Sequence, residues 1–151
     1  MIRSPERLSY DRITDFVFLG SRIASLGDYQ RLRSDGVRAC VDLKREAADP
    51  WTFEAFLWLP TTDQEAPSQA HLRMGIAFLR QCEQAQMPAF VHCMAGVGRS
   101  STLVLAWLLA GRFREAGTHP ALTFLCSRRP IANPNPYQIQ AAEAAARHFD
   151  A

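Results

Sequence analysis

Only six residues, Cys93 to Gly98, separate the short strand-like run Ala89-Phe90-Val91-His92 from the nearly all-apolar helical stretch Arg99 to Leu109. A helix that is apolar on every side must lie at the centre of the molecule, and the strand that feeds it must lie there too. Upstream, Ile13 to Leu19 is β-branched and aromatic with a polar interruption at Asp15, which predicts a short strand, a turn and a second strand ending at Gly20. Asp28 to Ser34 then predicts a helix stopped by Gly36, with Asp28 as its cap, and Val37 to Leu43 predicts a buried strand. Strand, helix and strand in this order define an α/β chain.

The remaining elements follow the same logic. Phe56 to Leu59 predicts a strand, and Pro60 to Pro67 a loop. Ser68 is an N-cap candidate for a helix to about Gln86 with Leu72, Ile76, Leu79 and Cys82 on one face, and Pro88 breaks it. Thr118 to Arg128 and Tyr137 to Phe149 predict two further helices, separated by the proline-rich loop Pro130 to Pro136. At 151 residues the expectation is one domain, residues 1–151, with no repeat and no linker.

A loop that enters a helix turns its backbone N–H groups outward, and the helix dipole adds partial positive charge, so the loop from Cys93 to Ser100 is a natural anion site. Phosphate suits it. In that field the Cys93 thiol is expected to lose its proton and become a nucleophile. Arg99 can grip two oxygens of a phosphoryl group at once, which a lysine cannot do, and Ser100 can give its hydroxyl to the sulfur.

His92-Cys93, five residues and then Arg99-Ser100, with Gly96 between, resembles the HCxxGxxRS/T signature of the cysteine-dependent protein tyrosine phosphatase superfamily. The small dual-specificity branch matches best. Asp15 to Ser21 looks like that family's opening strand and Gly36 to Leu43 like its second. Trp58 to Asp63 sits where the general-acid loop would be, and Arg129-Pro130 followed by Gln138 is similar to the C-terminal tail.

The resemblance implies a four- or five-stranded, mainly parallel sheet flanked by helices, and hydrolysis of phosphomonoesters through a phosphocysteine, without metal or cofactor. It implies Cys93 as nucleophile, Arg99 as phosphate clamp, Ser100 as the hydroxyl assisting phosphoenzyme breakdown, Asp63 as general acid and His92 in support. The main chain from Met94 through Ala95, Gly96, Val97 and Gly98 to Arg99 would bind the phosphate oxygens.

Asp63 lies thirty positions before the cysteine on a Pro/Thr-rich loop, with Glu65 as the backup acid. Asp42 and Asp49 read as strand-end and turn residues. Gln138 either places the hydrolytic water or is a helix-surface amide, and Asn133 and Asn135 read as turn formers. Arg128 and Arg129 either add positive potential or end a helix favourably. Trp51, Phe53, Phe56 and Trp58 read mainly as core, with a wall beside the pocket as the alternative.

Competing functions are weaker. Gly96-Val97-Gly98-Arg99-Ser100 lacks the lysine and spacing of a nucleotide-binding loop. A rhodanese-like sulfurtransferase also presents a cysteine in such a loop, and a silent phosphoprotein-binding module is a third alternative. The uncharged loop disfavours polyphosphorylated inositol lipids, whose phosphatases resemble HCKAGKGR; a lipid monophosphate or metabolite stays open beside phosphoproteins. The formal charge of +2 is far from a nucleic-acid binder's. Four cysteines without a CxxC pair argue against zinc and disulfides. No apolar N-terminal region or membrane-length run is visible, so the expectation is a cytoplasmic monomer.

Overall fold

The structure, a computed structural model, describes residues 7–149; the N-terminal stretch from Met1 to Glu6, read above for targeting, lies outside the described residues. Five strands, β1 (Tyr10–Arg12), β2 (Val17–Gly20), β3 (Ala39–Lys44), β4 (Ala55–Thr61) and β5 (Ala89–His92), form one sheet in the order β1-β2-β5-β3-β4. Every pairing is parallel except β1 with β2. The helices are α1 (Leu26–Ser34), α2 (Gln69–Gln84), α3 (Arg99–Ala110), α4 (Thr118–Arg128) and α5 (Pro136–Arg147). This is the mainly parallel α/β architecture expected, with five strands.

Strand residues alternate between two cores, as the two-residue period requires. Val17, Leu19, Ala39, Val41, Leu43, Ala89 and Val91 face the larger core with α2 to α5. Phe18, Cys40 and Phe90 face a smaller one with Leu32 of α1. Helix α3 lies buried along nearly its whole length, and the alanines of α5 at 142, 145 and 146 face the same core. Helix α2 starts as expected, with Ser68 Oγ accepting the His71 N–H at 3.1 Å.

Several boundaries differ from expectation for local reasons. Residues 10–12, not Ile13, form the first strand, and residues 13–16 make the turn. There the Thr14 hydroxyl accepts the N–H groups of Phe16 and Val17. The cap of α1 is Ser25, whose Oγ accepts the Asp28 N–H; Asp28 instead accepts from Leu8 and Ala24 and ties the N-terminal segment to the helix. Strand β4 continues through Pro60, which is tolerated because β4 is an edge strand. Helix α5 ends at Arg147, short of Phe149.

Register sets the site. Gly20, His92 and Asp42 lie in one row across β2, β5 and β3, so Cys93 emerges one residue past the C-terminal end of the central strand. Ligands of parallel α/β sheets bind at that end. Gly20 is confined there: a Cβ would fall 2.5 Å from the Ser9 carbonyl oxygen and 2.6 Å from Tyr10 Cβ. Gly20→Ala is therefore expected to destabilise the protein by about 2 kcal/mol through overpacking against backbone, read by thermal or urea denaturation.

Candidate active site

In the loop between β5 and α3 the carbonyls of residues 94–98 are all tied by hydrogen bonds. Met94 O accepts the Arg22 N–H at 3.0 Å, and Val97 O accepts the Asn133 N–H at 2.8 Å. Ala95 O and Gly96 O accept from the guanidinium of Arg129 at 3.1 and 2.8 Å. Gly98 O takes both the N–H and the hydroxyl of Thr102. In a trans peptide the N–H points opposite to the C=O, so the amides of residues 95–99 turn into the loop. Gly96 sits at φ 72°, and a Cβ there would meet Gly20 C at 2.5 Å and Arg129 Nη2 at 2.7 Å. A side chain has neither the backbone conformation nor the space.

Arg129, read from sequence as a helix-ending or field-adding residue, is thus a brace. It is fully buried, and its third nitrogen donates to Asp11 Oδ2 at 2.9 Å.

Inside the loop, Cys93 Sγ lies 3.1 Å from the buried Ser100 Oγ. Arg99 is 2% exposed. Its Nη1 donates to Glu46 Oε1 at 2.8 Å and to the Thr61 carbonyl at 2.9 Å, and its Nη2 donates to Glu46 Oε2 at 3.2 Å. Its Nε is buried without a hydrogen-bond partner and stands 3.7 Å from Asp63 Oδ1. The hydrogen bonds from Arg99 hold the Glu46 carboxyl below its ordinary value. Burial works against the arginine's charge, but Glu46, Cys93 and Asp63 outweigh it. A preset cation with two N–H donors left over, on Nε and Nη2, faces the place where an anion would sit.

Cys93, Arg99 and Asp63 line one cavity of about 210 Å³ together with Met94, Ala95, Val97, Gly98 and Gln138. Asp63 is solvent-facing across it, its side chain 66% exposed. Glu65, the backup acid, is outside this lining. A larger cavity of about 530 Å³ opens by the β1–β2 turn and the C-terminal end of α3, between Arg12, Trp107 and Arg112, and contains none of these groups. Chemistry, not size, marks the site.

Gln138 is not a surface amide but lines the cavity. It is 1% exposed; its Oε1 accepts the Asn135 N–H at 2.8 Å, and its Nε2 donates to the Glu65 carbonyl at 3.0 Å. Asn135 is not merely a turn former: its Oδ1 accepts the Gln138 N–H, completing a capping box, while its Nδ2 donates to the Gln64 carbonyl at 2.8 Å. The cap of α5 therefore latches the Asp63 loop, where Gln64 adopts φ 66°.

Two acids were missed. Glu46 aligns the clamp, and Asp49, expected to be a turn residue, lies 2.5 Å from His92 Nε2. Asp42 lies near the C-terminal end of β3, as expected, and is fully buried. Their placement beyond or at the C-terminal end of a parallel strand was the available signal. The aromatic wall does not form: Trp51 stacks on Tyr29 and Phe53 packs edge-on to it, while Phe56 and Trp58 are exposed on β4.

A cysteine in an amide-lined loop at the end of the central strand of a mainly parallel sheet, with an arginine at the loop's end and an aspartate across the cavity, defines a class of α/β protein. The family model described as dual specificity phosphatase, catalytic domain, matches residues 17–145. Dual specificity protein phosphatase 21 of Homo sapiens is 31% identical over 137 residues, covering 89% of this chain and 70% of that protein. Dual specificity protein phosphatase 22 of Xenopus tropicalis is 29% identical over 83% of this chain, and the chain spans only 59% of its length. The crystal structure of human DUSP28 superposes with a TM-score of 0.79 at 29% identity, covering 96% of this chain and 99% of that one. The chain belongs to the dual-specificity phosphatase catalytic-domain family.

Replacing Arg129 by methionine would leave the Ala95 and Gly96 carbonyls without their buried donor. The expected result is a loss of about 3 kcal/mol in stability, read by denaturation, together with weaker orthovanadate binding.

Proposed function

We propose that this protein is a cysteine-dependent phosphomonoester hydrolase acting on phosphotyrosine and phosphoserine or phosphothreonine in proteins. The observation that carries the reading is the convergence of Cys93 Sγ, the Arg99 Nε left without a hydrogen-bond partner and the Asp63 carboxyl on one small cavity. The phosphate oxygens lie against the inward amides of the loop and the free edge of Arg99, where charge is met by donors already in place. Cys93 thiolate attacks phosphorus, forming the S–P bond as the P–O bond breaks, and Asp63 gives its proton to the leaving oxygen. Water then attacks the phosphocysteine, with Asp63 carboxylate taking its proton. As the P–S bond breaks, Ser100 donates its hydroxyl hydrogen bond to the departing sulfur.

The uncharged loop from Met94 to Gly98 supports monophosphorylated over polyphosphorylated substrates. Among the described residues no helix is long and apolar enough to cross a membrane. We place the protein in the cytoplasm as a monomeric catalytic domain that needs no cofactor and no nucleic-acid partner.

Cys93→Ser is expected to abolish hydrolysis of para-nitrophenyl phosphate and of phosphopeptides while retaining vanadate binding; a wild-type-like rate would overturn the nucleophile assignment. Asp63→Ala is expected to lower kcat by about 10² to 10⁴. Retention of thiosulfate:cyanide sulfur transfer in place of phosphatase activity would favour the rhodanese-like alternative instead.

A further inference from the structure

Behind the Cys93 loop lies a buried set of ionisable side chains that the reaction above does not use. Asp42 and Lys44 come from β3, His92 from β5 and Asp49 from the β3–β4 connection. Lys44 Nζ donates to Asp42 Oδ2 at 2.7 Å and to Asp49 Oδ1 at 2.8 Å. Asp42 also accepts the backbone N–H groups of Lys44 and Asp49. The His92 ring, stacked on Phe90, places Nε2 2.5 Å from Asp49 Oδ2 and Nδ1 3.3 Å from the Cys93 carbonyl oxygen.

Both partners of the imidazole are acceptors. Burial pushes the Asp49 carboxyl up, but the hydrogen bonds from His92 and Lys44 outweigh it and hold the group below its ordinary value, so the carboxylate only accepts. The backbone carbonyl cannot donate. Both contacts are hydrogen bonds only if each ring nitrogen carries a hydrogen. Burial pushes the Asp42 carboxyl up even with the Lys44 ammonium beside it, so Asp49 is the carboxylate that the ring faces. Cys40, also facing Asp49, has its thiol pushed well up by burial and adds no charge. Cys40, Asp49 and His92 hold three metal-type donor atoms within 4.8 Å of one another, but the Lys44 ammonium already takes the cation's place on Asp49.

We propose that Asp49 is a positioning residue for the nucleophile: it holds His92 as an imidazolium on the Cys93 carbonyl, adding a positive charge behind the sulfur to that of the α3 N-terminus. This rests on the nucleophile role proposed for Cys93, but its test needs no turnover. Alkylation by iodoacetamide, read on the Cys93 peptide by mass spectrometry after chelator treatment, reports thiolate directly.

Asp49→Asn is expected to slow Cys93 alkylation about tenfold at pH 6 and leave it unchanged at pH 9. His92→Asn should do the same, and the double variant should be no slower than either. An Asp49→Asn rate equal to wild type, or slowed equally at both pH values, overturns the proposal, since a merely structural role would not depend on pH. If in the wild type Cys93 reacts no faster than Cys126 at pH 6, the nucleophile reading fails, and this proposal with it. A long-range ¹H–¹⁵N spectrum of the wild-type protein at pH 7 needs no variant to fold. Two protonated ring nitrogens on His92 support the proposal, and a neutral tautomer overturns it.

Discussion

The guanidinium of Arg129, buried beneath the cysteine loop, is the contact on which the site depends. A loop of small residues has little packing of its own, and its peptides would otherwise turn their carbonyls toward solvent or toward a bound anion, where they repel it. By donating to Ala95 and Gly96 from one rigid fork, Arg129 orients two peptides at once. Arg22, Asn133 and Thr102 complete the set. Burying an arginine is costly, and here the cost is met by Asp11 and by hydrogen bonds to a charged donor, each worth about 1.5–3 kcal/mol. The inward amides are thereby set in advance, as the proposed phosphate binding requires of donors that act in a transition state.

The same preorganisation extends to Arg99 and to the Asp63 segment across the cavity. Glu46 and the Thr61 carbonyl occupy one edge of Arg99 and leave Nε directed inward. The Asn135 and Gln138 side chains bind carbonyls at positions 64 and 65, immediately after Asp63. One helix cap thus satisfies its own orphan N–H groups and restrains the acid-bearing loop. Asp63 itself remains exposed, so the backbone is held while the carboxyl keeps the freedom that its proposed role as general acid requires.

Legibility in the sequence followed the range of the interaction. The loop, α4 and β5 were readable because periodicity, caps and breakers act over a few neighbouring residues. Cys93, Arg99 and Ser100 belong to one contiguous motif. Glu46 reaches Arg99 across 53 positions, Asp49 reaches His92 across 43, and Arg129 reaches Gly96 across 33. No local signal distinguishes these three from ordinary charged residues, and the reading of Asp49 as a turn and Arg129 as a helix end was what their neighbours alone imply. Gln138 was singled out, but its role came from the capping box and the loop across from it.

The sequence by itself determined that a thiol, an anion loop and an arginine meet at the junction of a buried strand and a buried helix, because covalent continuity and helix geometry leave them nowhere else to go. Only the tertiary structure decided which way the loop's peptides face, which carboxylate aligns Arg99, and which one holds His92. Those choices depend on strand register and on side chains arriving from distant segments. A buried charge takes whichever partner the folded neighbourhood supplies, since it cannot remain without one.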